Sequence, residues 1–218
     1  MTPASTRGAP DRSLRATRLG YAPVARSVAV GMFLMAFFTT FWALWIPYGL
    51  PSVVALPLLA LFVTLAVGFV VSGIGLVRAG RRFPAVGEDA RGRGRRVQKG
   101  FAVVVGAEGL VIGVVCAILG ARGAFAYFGP AIALVVGLHF LPLGIVFRRT
   151  IDYYVGAWVS LAALAGLWLV RAGTLPPSEV GSLVAVATAA GTATYGVYQV
   201  RLTRALLSGL GAPDAGNR

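Results

Sequence analysis

Two side chains able to carry protons sit inside long apolar runs: Glu108 in GAEGLVIGVV, and His139, the only histidine, in GLHFLPL. A charge at mid-bilayer costs about 2.5–3.5 kcal/mol on insertion scales, so such residues face the protein interior and take partners. Imidazole titrates near physiological pH, and a carboxyl beside it would exchange protons with it as one coupled unit. That is equipment for proton-linked transport or for ligand sensing. Two other uses stay open: a hydrogen bond between neutral partners that locks two helices, or a ligand pocket without proton coupling.

Pro142 sharpens the site. A proline inside a helix has no N–H and crowds the carbonyl four residues earlier, here that of Leu138, next to His139. Carbonyls freed in this way are satisfied in membranes by protein or water. A bent turn, an imidazole and a carboxylate therefore define a candidate polar cavity. Tyr195 and Gln199, on a run that also holds Thr188, Thr192, Thr194 and Tyr198, are candidates to line it. The other use of such threonines is a hydroxyl bonded to the carbonyl four residues back.

Other chemistries find less support. A nucleophile needs a base beside it, and Ser72, Ser160 and Cys116 have no spacing to His139 that argues for one. A catalytic metal needs about three protein ligands. Cys116 lies about 12 Å along the axis from Glu108, too far to join it. Met35 as a haem partner of His139 competes with apolar packing of Met32 and Met35. We expect no enzyme, no metal and no cofactor.

The elements that must position these groups are membrane helices. The chain is 57% hydrophobic and 12% charged, against about 25% charged in soluble domains. Apolar runs of bilayer-spanning length fall at about 27–48, 52–77, 101–121, 126–147, 154–171 and 180–204. The expected fold is all-α: one polytopic bundle of six transmembrane helices in three hairpins, residues 27–206. A disordered basic arm (1–26) is expected before it, a basic loop at 78–100 within it and a tail (207–218) after it. The first run is too long for a signal-peptide core and reads as an anchor. A single cysteine excludes an intramolecular disulfide.

The formal charge of +13 is distributed by side. All of the 20 basic residues except Arg122 and Arg171 fall in the arm, the connections after the second and fourth runs, and the end of the chain. Cytoplasmic connections collect Lys and Arg, so both termini are expected inside, in a bacterial cytoplasmic membrane. Glu108 and His139 then lie about 10–12 Å below the same inner boundary, on the two helices of one hairpin.

The connection RRFPAVGEDARGRGRRVQKG reads as a solvated loop whose Arg91, Arg93, Arg95 and Arg96 can meet anionic lipid headgroups, each adding about 1 kcal/mol near the surface. Only Phe83 interleaves this run, which argues against nucleic acid as a partner. Trp42, Trp45 and Tyr48 at one end, and Tyr153 and Tyr154 at the other, read as interfacial anchors. Asp152 reads as a structural N-cap within reach of Arg148 or Arg149. Small residues four apart (Gly109 and Gly113, Gly68 and Ser72, Ala133 and Gly137, Ala187 and Gly191) read as contact stripes, used within the chain or in a homodimer.

At VGLHFLPL, preceded by GAEGLVIGVVCAILGARG and followed by RRTIDYYVGAWVSL, the chain resembles a group of small, uncharacterised bacterial multi-pass membrane proteins. In them a GLHF(L/F)PL-like helix follows a glycine-rich helix carrying a polar residue and leads to a tyrosine pair. The matching positions are Glu108, Gly137, Leu138, His139, Phe140, Pro142, Tyr153 and Tyr154, within about residues 100–165. The basic loop and arm are longer and richer in arginine than the group's. The resemblance implies the bundle and the site, and no activity. The expected function is a small proton-coupled carrier or permease of an unidentified solute. The alternative is a non-transporting scaffold or sensor that binds a partner or anionic lipid through the basic segment.

Overall fold

The computed structural model describes residues 21–80 and 88–211. Most of the expected arm, part of the basic connection (81–87) and most of the tail (212–218) lie outside the described residues. These form six helices: α1 (Tyr21–Ala43), α2 (Ser52–Gly80), α3 (Glu88–Ala121), α4 (Phe128–Phe147), α5 (Thr150–Ala172) and α6 (Pro177–Gly211). Short 3-10 turns at Ile46–Tyr48 and Phe125–Tyr127 lead from α1 to α2 and from α3 to α4. No strand occurs among the described residues. All six helices are long and apolar enough to cross a membrane.

The helix ends follow local chemistry. Proline suits a helix start, where its missing N–H is not needed, and Pro51 and Pro177 stand at the starts of α2 and α6. Gly173 closes α5 in the left-handed conformation at φ 63°, which glycine adopts without steric cost. Arg148 closes α4 in the same conformation at φ 54°, and the chain turns into α5 after only one further residue, the extended Arg149.

Burial separates a centre from a periphery. In its most apolar window 61% of α6 is buried, against 6% of α3. α6 packs on α1, α2, α4 and α5, whereas α3 leans chiefly on α4 and touches α1 slightly. The sequence explains the central place of α6: Val180, Val184, Ala185, Ala189 and Ala193 give a narrow buried face, and small side chains let neighbouring backbones approach. Hydroxyls complete it. Ser182 donates to the Trp45 carbonyl at 3.1 Å, fastening the α1–α2 turn to α6. Thr188 and Thr194 bond the carbonyls four residues back at 2.8 Å, and Thr192 does so at 3.2 Å, as one of the two expected uses required. Thr39 of α1 donates to Thr192 at 3.0 Å.

The most extensive pairing is α4 with α5, across the seam between two of the expected hairpins. A β-carbon on Gly137 would lie 2.6 Å from the Ser160 backbone nitrogen, and one on Gly156 would lie 2.9 Å from the Gly137 carbonyl oxygen. Only glycine permits that crossing. The Ala187 and Gly191 stripe also makes contact: a β-carbon on Gly191 would lie 2.9 Å from Val159 Cγ2. Gly68, Gly109 and Gly113, expected as contacts, have nothing within 4 Å of such a carbon. Within the chain those stripes face outward.

Several boundaries differ from expectation. α1 begins at Tyr21, inside the expected arm, and α6 runs to Gly211, past the expected start of the tail. The expected loop at 78–100 is helical from Glu88, so Arg91, Arg93, Arg95 and Arg96 stand on α3, with Arg95 and Arg96 exposed. Arg, Ala, Gln and Lys are good helix formers and outvote Gly92 and Gly94 there. α5 begins at Thr150 rather than near 154, because Arg148 and Arg149 alone complete the turn. Of the expected anchors, Trp45 and Tyr48 are exposed as such rings should be, while Trp42 is buried in the core with its Nε1 unpartnered.

Candidate functional site

Glu108 and His139 meet. His139 Nδ1 lies 3.3 Å from Glu108 Oε1, and both side chains are almost wholly enclosed. Each helix supplies its residue by register. On α3 the half-buried positions Phe101, Val104, Ile112, Val115 and Leu119, with Glu108 buried among them, recur at three- to four-residue spacing. The stripe is the face that leans on α4. The rest of α3 at this depth, residues 105–107 and 109–111, is alanine, glycine, valine and leucine turned outward, so the carboxyl occupies the one direction that reaches protein.

His139 Nδ1 also bonds the carbonyl of Val136, one turn back on α4. A carbonyl only accepts, so it holds the imidazole proton on Nδ1, between two acceptors, and Glu108 Oε1 is the second of them. Nε2 remains the nitrogen that can gain or lose a proton. Neutralising both partners leaves a shared hydrogen bond; charging both leaves an ion pair. The same positions of the heavy atoms serve either state.

Pro142 lies inside α4, which continues as helix through it to Phe147. Pro142 is exposed and does not line the pair. Tyr195 and Gln199, expected to line the Glu108–His139 site, are engaged elsewhere. Tyr195 packs its ring at 5.9 Å from that of Phe140 and accepts a hydrogen bond from Arg149 Nη1 at 3.2 Å. Gln199 is buried against α1, where a β-carbon on Gly31 would lie 2.8 Å from its Cδ, and its Oε1 has no hydrogen-bond partner. Thr203, one turn on, donates to the Gln199 carbonyl at 2.9 Å.

Tyr195 belongs to a second polar cluster. Asp152, the third residue of α5, is fully buried. It is not the expected N-cap, since Arg149 holds that position and no side chain caps the helix. The Tyr195 hydroxyl and the Arg149 guanidinium face the Asp152 carboxylate. Arg149 is held by the Tyr195 hydroxyl and by the face of Phe147, 5.0 Å from its Cζ. An ionisable side chain buried in a membrane-spanning helix is a functional candidate by default. The apolar run at 154–171 starts after Asp152, so the sequence does not place it inside a span.

Among the described residues no three His, Cys, Asp or Glu side chains converge to hold a metal. Met32 and Met35 are packed in the core, with Met32 Sδ 3.6 Å from the Thr203 hydroxyl. Cys116 is half-buried on α3.

No protein-family model, curated protein or solved structure matches the chain.

Proposed function

We propose that the protein is a small proton-coupled carrier or permease of a bacterial cytoplasmic membrane, with both termini inside, and that Glu108 and His139 form its proton site. One observation carries the reading: a carboxyl and an imidazole 3.3 Å apart, on two helices of membrane-spanning length. A second supports it. α3 leans on the bundle almost solely through α4, so making or breaking this one polar contact acts on the least anchored helix. Proton-linked transport needs such a coupling between protonation and helix position. Purified protein in proteoliposomes with a trapped pH dye tests it against a panel of small solutes. Solute-driven proton movement should be lost in Glu108→Gln and in His139→Phe. Flux unchanged in both variants rejects the site.

The second reading, a scaffold or sensor, draws on the start of α3. Residues 88–97 precede the apolar span at Gln98–Ala121, a basic helical extension of about 15 Å. Such a surface favours an acidic partner or a lipid headgroup layer. Deleting 88–97 would then abolish that association and leave solute flux intact.

A further inference from the structure

A recess between α2 and α6 belongs to neither polar cluster. Phe62 and Leu65 of α2, Ile151 in the first turn of α5, and Ala190, Val197, Tyr198 and Arg201 of α6 line a groove of about 450 Å³. The sequence makes it a groove. Alanine at 190 draws the surface of α6 back, and Thr194 commits its hydroxyl to the Ala190 carbonyl at 2.8 Å, which leaves its methyl to the wall. From Ala190 to Arg201 α6 rises about 16 Å, close to half of the hydrocarbon thickness of about 30 Å. The groove is therefore one leaflet deep, apolar along its length and polar at one end.

That end carries charge. Arg201 is exposed and lines the groove with Ile151 of the first turn of α5. Among the described residues no carboxylate pairs with Arg201, and the only acid buried nearby, Asp152, faces Tyr195 and Arg149. Tyr198 stands one turn below Arg201 with its ring 6.1 Å from that of Tyr195. Tyrosine favours the headgroup level, where its hydroxyl can bond.

We propose that this groove seats one anionic phospholipid, with an acyl chain along the wall from Ala190 to Val197 and the phosphate at Arg201 and the Tyr198 hydroxyl. An unpaired cation at the rim of an apolar slot complements that lipid better than a zwitterionic one, by about fivefold for a single basic residue at the surface. The seat does not depend on solute flux. Through the Tyr198–Tyr195 contact, however, its occupant would adjoin the cluster around Asp152.

Native mass spectrometry of the full-length protein, delipidated in neutral detergent and titrated with phosphatidylglycerol or phosphatidylcholine, tests the seat. Wild type should retain phosphatidylglycerol about fivefold more tightly. Arg201→Gln should remove that preference, and Ala190→Leu should weaken both lipids by filling the slot. Arg95→Gln with Arg96→Gln, on the distant start of α3, should leave the preference intact. Equal retention of the two lipids by wild type overturns the proposal. So does a preference that survives Arg201→Gln but disappears in the α3 variant, which would mark diffuse surface charge. Arg201 is exposed, so its variant decides the question even if Ala190→Leu does not fold.

Discussion

His139 and Phe140 are neighbours in sequence whose rings touch, centroids 4.4 Å apart, yet each reaches a different polar cluster. His139 turns towards α3 and meets Glu108 at 3.3 Å. Phe140 is buried and turns towards α6, its ring 5.9 Å from Tyr195. Successive residues on a helix point about 100° apart, which is enough for one to face α3 and the next α6. α4 thus joins the two: the carboxyl–imidazole pair on its α3 side reaches the Asp–Tyr–Arg group through the adjoining rings of His139, Phe140 and Tyr195.

The peripheral pair should be coupled energetically, whatever its role in transport. Interhelical hydrogen bonds in membranes contribute about 0.6 kcal/mol on average and up to about 1.7. A double-mutant cycle of Glu108→Ala and His139→Phe, followed by unfolding in a detergent mixture, should return a coupling in that range. A coupling of zero would mean that the contact does not form in solution.

The glycines should divide sharply. Gly137→Leu places side-chain carbon where the Ser160 backbone lies, at 2.6 Å from the β-carbon onwards. Overpacking typically costs about 1–3 kcal/mol and more when backbone must shift, so this variant should lose most of its folded yield on size exclusion. Gly109→Leu and Gly113→Leu meet open space and should elute as wild type. If they instead dissociate a dimer, the outward stripe on α3 is a protomer contact.

Much of this was legible before the structure, for physical reasons that differ by residue. The six spans follow from bilayer thickness, and the depth match of Glu108 and His139 follows from helical rise, so the pair could be read by counting from the ends. Asp152 could not. Its burial depends on α5 starting at Thr150, and that depends on Arg148 adopting a left-handed backbone, which arginine does not advertise. Tyr195 and Gln199 read as polar residues on one face, but the direction of that face is set by which helices surround α6. Counting along one helix does not give its neighbours.

The helical start of α3 makes a measurable claim about a segment that composition marks as loop. Gly92 has nothing within 4 Å of where a β-carbon would stand, and glycine in a helix interior costs about 0.8–1.0 kcal/mol relative to alanine. Gly92→Ala should therefore slow hydrogen exchange of the surrounding amides by about fivefold. In a true loop the same change would leave exchange unaltered.

Asp152 and Arg149 should respond asymmetrically to neutralisation. Asp152 is fully buried, so its charged form relies on the Arg149 guanidinium and the Tyr195 hydroxyl that face it. Arg149 is only half-buried and has Tyr195 and Phe147 to hold it, so it does not rely on Asp152 in return. Removing one partner of a buried charge pair typically costs about 3–5 kcal/mol, whereas removing both is often neutral. Arg149→Gln should therefore destabilise by about 3 kcal/mol, near the low end of that range because the Tyr195 hydroxyl still faces Asp152. Asp152→Asn should cost less than about 1 kcal/mol, and Arg149→Gln in the Asp152→Asn background should recover most of its loss. Thermal unfolding of the four proteins in one detergent measures this. Equal losses for the two single variants, adding in the double, would show that Asp152 and Arg149 do not interact.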